Sequence, residues 1–467
     1  MTHLTTRPAV DLLALLQSNQ ISPLELADEF IRQIQQRNPQ LNALVDFDPE
    51  RVRRQAKALE SSPHPRSPLF GLPMTVKASI SVADHRCEIG SLLHRGYTPP
   101  TDATVVRRMR EAGAVILGAT NCPEFLMAYE TDNRLYGRTA NPWDLSRTAG
   151  GSSGGESAAI AAGLSAGGLG SDSGGSVRVP AHFTGICSLK PTPGRVPALG
   201  HLPPCAGPFS ILGAIGPMAR TISDVALFFE VLSGQDAGDP AGAPVHRRGY
   251  SSEELKRLPI GFLEDDGLTP VTAETRQAVR DAAAALQKQG FKVSPFRSQS
   301  LEQARRLWWK FFVRCGAMLL DPLVRGREDD LSPTFQDFRE IAHRELPLTG
   351  EELLAAWIEC DQVRGNLLAE MREFPILLTP ACSIPAFRHG ERSWIIEGQP
   401  VRYLDAMRYT QWFNLLAAPA AIVPVGRSPE GLPIGVQLAG RPFEDEMALG
   451  IAAQLDREFG YVQPPIL

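Results

Sequence analysis

The chain has 467 residues, of which 43% are hydrophobic and 21% charged, and its formal net charge is −5. This is ordinary globular composition, and the weakly acidic balance, without a run of Lys and Arg, gives no electrostatic reason to expect nucleic acid. No stretch of about 18 uncharged apolar residues is present to form a membrane-spanning helix. The first thirty residues include four acidic ones and no long apolar core, so we expect a cytoplasmic protein without a signal or transit peptide.

Helices and buried strands alternate along the chain. Apolar periodicity predicts two helices between residues 8 and 42, and further helices at 51–59, 101–112, 156–163, 222–232, 272–290, 304–323, 351–370 and 447–459. Short apolar runs predict strands at 74–80, 114–118, 258–263, 291–293, 375–380, 421–425 and 434–438. Residues 189–191 and 216–218 have the pattern of ordered turns, and residues 236–249 that of a surface loop. This alternation is typical of a layered α/β domain, and we expect residues 1–467 to form a single one.

The seven cysteines are scattered along the chain and form no C-x-x-C motif. Their odd number and wide spacing predict free thiols in a reducing compartment. No pair of Cys and His residues has the spacing of a zinc site, and H-E-x-x-H does not occur. We therefore expect no metal.

Lys77 lies inside the apolar strand predicted at 74–80, in a chain with only seven lysines. Burying an ammonium group costs free energy unless the group is paired or neutralised. Burial lowers the pKa of a lysine, and a neutral lysine is a general base. A lysine that reaches solvent or pairs with a carboxylate is the alternative that this strand alone leaves open.

Two clusters rich in glycine and serine, residues 150–155 and 173–176, are joined by a segment of small apolar residues. Glycine permits positive φ and close approach, and consecutive glycines before a serine form a nest of N–H groups that can hold an oxyanion. Serine hydroxyls beside such donors suit nucleophilic acyl transfer. For either cluster taken alone, a tight turn is the favoured interpretation.

Two other interpretations of these clusters are disfavoured. Residues 150–154 match the G-x-S-x-G pattern of an α/β-hydrolase elbow, but the residues before them, 141–147, have the character of a loop instead of a strand. The late histidines His343 and His389 also lie in ordinary polar surroundings. A P-loop would require a lysine after the second cluster, and none follows.

Residues 150–180, 189–196 and 216–221 together resemble the amidase signature family. Residues 71–77 match the lysine strand of that family, and residues 432–438 and 440–442 match its C-terminal motif, so the resemblance covers nearly the full chain. It implies a three-layer α/β fold, with a large twisted mixed β-sheet covered by helices on both faces. It also implies an amidohydrolase that needs no cofactor.

The resemblance assigns roles residue by residue. Ser176 is the implied nucleophile, Ser152 is the proton bridge after a cis peptide bond from Gly151, and Lys77 is the base. The implied oxyanion hole consists of backbone N–H groups of Ser173, Gly174, Gly175 and Ser176. Buried polar support is expected from Ser153, Asp172 and Arg178, although surface solvation would also account for the last two.

Residues 121–130 and 136–142 are most similar to the fatty-acid-amide-hydrolase branch and to broad-range bacterial amidases. By that similarity Leu126, Met127 and Gly151 contact the substrate, while plain core packing is the alternative for the two apolar side chains. The aromatic segment 307–313 belongs to a helical insertion, residues 300–370, that we expect to cover the substrate channel. A buried helix without that role is the alternative.

Three functions remain in view. The first is a free-standing hydrolase, monomeric or homodimeric, of small apolar or aryl amides, with esters and carbamates (urethanes) as further candidates. The second is the glutaminase subunit of a tRNA-dependent amidotransferase. That subunit carries an S-S-L-D-Q run where residues 208–217 of this chain differ, which weighs against it. The third, an inactive binding protein, is disfavoured because all three catalytic positions are occupied.

Overall fold

The computed structural model describes residues 4–60 and 67–465. Its strands are β1 Leu44–Phe47, β2 Pro73–Lys77, β3 Val115–Thr120, β4 Ala140–Asn141, β5 Asp144–Thr148, β6 Gly167–Asp172, β7 Cys187–Lys190, β8 Ala214–Ala219, β9 Ile260–Phe262, β10 Val293–Pro295, β11 Ile376–Pro380, β12 Ser393–Ile396, β13 Gln399–Arg402, β14 Ala420–Arg427 and β15 Pro433–Gly440. Its α-helices are α1 Ala9–Gln17, α2 Pro23–Leu41, α3 Pro49–Glu60, α4 Thr104–Glu111, α5 Gly154–Ala161, α6 Arg178–Thr184, α7 Phe209–Leu212, α8 Ile222–Leu232, α9 Ser252–Lys256, α10 Ala273–Lys288, α11 Leu301–Trp308, α12 Cys315–Val324, α13 Pro333–Ala342, α14 Gly350–Glu370, α15 Tyr403–Ala406, α16 Arg408–Leu415 and α17 Asp445–Phe459.

Eleven of these strands form one mixed sheet, in the order β1-β3-β2-β6-β8-β7-β14-β15-β11-β9-β10. The lysine strand β2 runs parallel to both β3 and β6, and β9 runs parallel to both β10 and β11. The strands between β6 and β11 pair antiparallel, as do β1 and β3. The order places β2 directly beside β6, which leads into the second glycine–serine cluster.

Both faces of the sheet are covered by helices, as the alternation along β14 shows. Ala421 and Val423 point into a core shared with α10 and α17, whereas Ile422 points into a core shared with α5 and α6. Period-2 alternation with both faces buried is what a central strand of a three-layer domain requires. The expected three-layer α/β fold, with helices on both faces of a mixed sheet, is confirmed.

The strand β6 was missed from the sequence because it contains three glycines and no β-branched residue. Its glycines allow α5 to lie close to the sheet. A Cβ at Gly170 would stand 2.7 Å from the Ser153 Oγ, and one at Gly168 would overlap the carboxylate of Glu156. Close helix–strand packing, not β propensity, therefore decides the conformation of this segment.

The turns expected at residues 189–191 and 216–218 are corrected by the structure. Leu189 and Lys190 end β7, and residues 216–218 lie in the middle of β8. Gly216 and Pro217 look like turn residues in isolation, but the backbone of β8 pairs with β6 along its whole length. Tertiary pairing has overridden a local signal.

Residues 301–324 form one continuous helical rod in which a π-helical segment, Trp309–Arg314, joins α11 to α12. These helical residues pack with α13, α14 and α16 around a second apolar core, which also includes residues of β11, β14 and β15. Residues 233–251 contain neither helix nor strand and lie between α8 and α9. No helix in the described ranges is long and apolar enough to cross a membrane.

Candidate active site

Lys77 is the last residue of β2 and is completely buried. Its Nζ donates hydrogen bonds to the Ser152 Oγ at 2.7 Å and to the Ser171 Oγ at 3.1 Å. No acidic side chain of residues 4–60 or 67–465 forms an ion pair with it. The structure thus excludes both alternative explanations of this lysine, solvent exposure and pairing with a carboxylate.

Burial lowers the pKa of Lys77 to about 8, because no counter-charge lies in contact with the ammonium group. The charge of the nearby Glu156 carboxyl raises this pKa without offsetting the effect of burial, and Glu156 forms no ion pair with the ammonium group in the described residues. It accepts hydrogen bonds from the hydroxyls of Thr75 and Thr120, and burial raises its own pKa to about 7. A substantial fraction of Lys77 is therefore neutral near pH 8.

Ser152 follows Gly151 through a cis peptide bond, as the family resemblance implies. Gly151 has no room for a side chain, because a Cβ would stand 2.5 Å from the Ala128 carbonyl oxygen. The next residue, Ser153, joins the two clusters: its N–H donates to the Ser176 carbonyl at 3.1 Å, and its Oγ accepts from the Ser171 N–H at 3.3 Å. The first cluster is thereby held against the second.

The second cluster forms a turn between β6 and α6 in which Gly175 has φ +126°. A Cβ at Gly174 would stand 2.7 Å from the Trp308 ring, and one at Gly175 would overlap the Thr410 hydroxyl. The Gly175 N–H already donates to the Asp172 Oδ1 at 2.8 Å. No acceptor in the described part of the chain takes a hydrogen bond from the N–H groups of Ser173, Gly174 or Ser176.

Asp172 and Arg178 form a fully buried ion pair, with 2.8 Å between Oδ1 and Nη2, and are not solvated surface residues. Burial alone would raise the pKa of Asp172, but the charge and hydrogen bonds of Arg178 hold it below its usual range. Arg178 also donates to the Gln437 and Asn414 side chains and to the Thr410 carbonyl. The pair fixes both ends of the turn, since Asp172 accepts from the N–H groups of Gly175 and Val177.

A cavity of about 340 Å³ opens beside these serines. Its polar part is formed by Ser152, Ser171, Ser173, Ser176 and His201. Its walls are mostly apolar and come from three segments of the chain: Phe125, Leu126 and Met127; residues 203–209; and Phe312, Leu319, Leu320 and Leu323. No Asp, Glu, Lys or Arg is among the described residues that line it.

Of the three residues expected to contact the substrate, two line the cavity and one does not. Leu126 and Met127 lie on its wall, next to Phe125, and both Phe125 and Leu126 have positive φ values, 48° and 68°. Gly151 does not lie on the wall; it packs against the backbone of residues 128–130. Gly151 is thus a packing residue in this structure, and the reason is the close approach of the 128–130 loop.

The amidase family model matches residues 25–449 of the sequence. The chain belongs to the amidase family. An acylamidase from Rhodococcus erythropolis is 34% identical over 96% of this chain and 94% of its own length. An indoleacetamide hydrolase from Bradyrhizobium diazoefficiens is 32% identical over 97% of this chain and 86% of its own length.

The chain is also similar to proteins that are not named as amidases. A glutamyl-tRNA(Gln) amidotransferase subunit from Roseiflexus castenholzii is 33% identical over 97% of this chain and 96% of its own length. A solved structure of 6-aminohexanoate cyclic dimer hydrolase with substrate superposes with a TM-score of 0.86 and 29% identity, over 99% of this chain and 100% of the other. The family match and these relatives identify the protein as a hydrolase of the amidase family.

Several residues of the amidase site were not found from the sequence. Ser171, the second acceptor of Lys77, precedes the expected cluster and is visible only once β6 is known to be a strand. Tyr129, Thr410 and Trp308 all donate to carbonyls of the turn, and they come from remote parts of the chain. No local spacing links such residues, so only the fold reveals them. No group of His, Cys, Asp and Glu in the described residues could hold a metal ion.

Proposed function

We propose that this amidase hydrolyses small amides with uncharged apolar or aromatic acyl groups, through an acyl-enzyme on Ser176. The observation that carries the proposal is the apolar cavity that ends at four serines, two of which, Ser152 and Ser171, accept hydrogen bonds from a buried lysine. Esters and carbamates of the same acyl groups are further candidates, because their carbonyl carbons react with a serine in the same way.

In the proposed acylation, neutral Lys77 accepts the proton of the Ser152 hydroxyl while Ser152 accepts the proton of Ser176. The Ser176 Oγ forms a bond to the substrate carbonyl carbon, and the carbonyl oxygen becomes an oxyanion. The unoccupied N–H groups of Ser173, Gly174 and Ser176 support the assignment of these three as its donors. Gly175 is a weaker candidate than the resemblance implies, since Asp172 already accepts from its N–H.

Collapse of the tetrahedral intermediate breaks the carbon–nitrogen bond. The protonated Lys77 returns its proton through Ser152 to the leaving nitrogen, so the amine departs neutral. Water then attacks the acyl carbon and gives up a proton along the same path to Lys77. The bond between the acyl carbon and the Ser176 Oγ breaks, the proton returns through Ser152 to that oxygen, and the carboxylic acid is released. Lys77, Ser152 and Ser176 are the catalytic residues of this scheme, and Ser153, Asp172 and Arg178 hold them in place.

The walls of the cavity support the substrate class. A neutral, mostly apolar cavity favours acyl groups that lose little hydration on entering, and a volume near 340 Å³ accommodates an aryl or medium-length alkyl group. Phe312, Leu319 and Leu323 support the assignment of the helical insertion as the cover of this channel. The similarity to an acylamidase and an indoleacetamide hydrolase points the same way.

The second candidate, glutaminase within an amidotransferase, has the similarity to the glutamyl-tRNA(Gln) amidotransferase protein in its favour. Glutamine carries an α-ammonium and an α-carboxylate, and enclosing them without charged partners would be costly. The cavity offers no such partner among the described residues. Every residue of the proposed machinery also belongs to this one chain, so we propose that the chain is active alone, as a monomer or homodimer in the cytoplasm.

The experiment compares hydrolysis of an anilide, a long-chain primary amide, an aryl carbamate and glutamine by the purified chain. We expect turnover of the anilide or the alkyl amide, none of glutamine, and trapping of an acyl group on Ser176. The control is Ser176→Ala, which should be inactive and normally folded. Activity that persists in Ser176→Ala, or that appears only with glutamine, would overturn the proposal.

A further inference from the structure

We propose that Trp308, at the end of α11, is a positioning residue for the oxyanion hole, acting through the Ser173–Gly174 peptide. The proposal rests on the function proposed above, because it concerns the donors that stabilise the oxyanion. Trp308 is nearly fully buried, and its indole Nε1–H donates to the Ser173 carbonyl oxygen at 2.8 Å.

The orientation of that carbonyl sets the direction of an oxyanion donor. In a planar trans peptide the C=O and the following N–H point in opposite directions. The cis bonds in the described ranges precede Ser152 and Pro203, so the Ser173–Gly174 peptide is trans. When Trp308 holds the Ser173 carbonyl on the α11 side, the Gly174 N–H is turned to the opposite side, away from the helix.

The other carbonyls of the turn show why Trp308 carries this role by itself. The Gly174 carbonyl accepts from both Tyr129, at 2.8 Å, and Thr410, at 2.6 Å. The Gly175 carbonyl accepts from the Val179 N–H at 2.7 Å, in the first turn of α6. The Ser173 carbonyl has no second donor in the described structure, so its peptide depends on one indole.

The Trp308 ring also links the turn that contains Ser173 and Gly174 to the wall of the cavity. Trp308 stacks on Phe312 with 4.8 Å between ring centroids and an angle of 11°, and Phe312 lines the cavity. The next residue, Trp309, does not line the cavity, and its indole N–H does not reach the turn of residues 173–176. Its indole N–H donates instead to Glu345 at 3.0 Å, on the outer side of the helix. The two adjacent tryptophans thus provide a matched pair for experiment.

The test replaces Trp308 with Phe, which keeps an aromatic ring on Gly174 and Phe312 but removes the N–H donor. Loss of one oxyanion donor costs roughly 100- to 1,000-fold in kcat, and a donor that is only misaligned should cost about 10- to 100-fold. We expect kcat for an anilide to fall by that factor with KM little changed. The apparent pKa of the pH–rate profile should stay in place, since Lys77 is untouched.

The affinity for a trifluoromethyl ketone distinguishes a positioning role of Trp308 from a purely structural one. Ser176 adds to the carbonyl carbon of the ketone and the resulting oxyanion occupies the hole, whereas a carboxylic acid product analogue fills the cavity without forming one. In Trp308→Phe the ketone should lose affinity by the same factor as kcat, and the product analogue should bind as before. Trp309→Phe should match the wild type in every measurement.

Failure of this inference is distinct from failure of the proposed function. If Ser176→Ala is inactive but Trp308→Phe retains kcat and ketone affinity within twofold, the role of Trp308 is wrong and the nucleophile stands. Equal loss of affinity for ketone and product analogue would likewise overturn it. If Trp308→Phe does not fold, benzothienylalanine at position 308, which replaces only the N–H with sulfur, gives the same test.

Discussion

Two buried lysines lie at the ends of two strands of one sheet, and only one of them contacts serine hydroxyls. Lys77 ends β2 and Lys190 ends β7, and both are inaccessible to solvent. Burial lowers the pKa of Lys77 to about 8; burial and the nearby Arg178 charge lower that of Lys190 to about 7. On pKa alone, Lys190 would be the better base near neutral pH.

Their hydrogen bonds separate them. The Lys77 Nζ contacts two serine hydroxyls, and both of these serines line the cavity that also holds Ser176. The Lys190 Nζ contacts the carbonyl of Pro191, which has no proton to exchange. A depressed lysine pKa is therefore a general result of burial, and the neighbouring proton donor is what makes a base.

The largest effect that tests this comparison is expected from Lys77→Met. Removing a positioned general base costs roughly 100- to 10,000-fold in rate. We expect kcat/KM for an anilide to fall within that range and the fold to remain intact, as checked by circular dichroism. The matched control is Lys190→Met, which should retain kcat/KM within about threefold. A comparable loss in both variants would show that burial, not the serine contact, is what matters.

The second prediction concerns Asp172, whose negative charge acts to raise the pKa of both Lys77 and Lys190. Asp172→Asn leaves the Arg178 guanidinium buried without its anion, and breaking such a pair costs about 3–5 kcal/mol of stability. Loss of this negative charge should also lower the pKa of Lys77 further. We expect a lower free energy of unfolding in urea, together with a pH–rate profile displaced to lower pH. An unchanged profile would contradict the electrostatic link.

A third, smaller effect is the pH dependence itself. In the proposed scheme the neutral form of Lys77 is the active one, so protonation below its pKa should remove activity. We expect kcat/KM to rise with pH and to level off above about pH 8, as initial rates in constant-ionic-strength buffers would show. The same rise of kcat/KM with pH should be present in Lys190→Met. If the rise disappears in Lys190→Met, the titrating group is Lys190 and not Lys77.

A fourth prediction concerns the pH dependence of stability. A lysine that is buried in the folded state binds its proton more weakly there than in the unfolded chain, so stability rises with pH between the two pKa values. For Lys190 this window runs from about 7 upward to the ordinary lysine value. The Tm of Lys190→Met should exceed that of the wild type below pH 7, and the difference should shrink toward pH 10. A constant difference would refute the assignment.

Much of this molecule could be predicted from sequence, and the exceptions share a cause. Long helices such as α10 and α14 were found because apolar periodicity is a local signal. Strand β6 was missed because its three glycines serve the contact with α5, which is remote in sequence. Lys77 was recognisable as an anomaly, but Ser171 and Trp308 acquire meaning only from strand pairing and from the helical insertion.

The walls of the cavity have one more consequence. They are supplied by residues 125–127, residues 203–209 and the rod at 312–323, and none of these segments carries Lys77, Ser152 or Ser176. In the proposed scheme the three catalytic residues therefore lie in the sheet and its two glycine–serine turns, and the contacts that would select the acyl group lie in loops and in residues 312–323. We expect substitutions at wall residues other than Phe312, which stacks on Trp308, to change the cavity while leaving the proposed proton path in place, so these positions are the ones to vary when the enzyme is redirected to new amides.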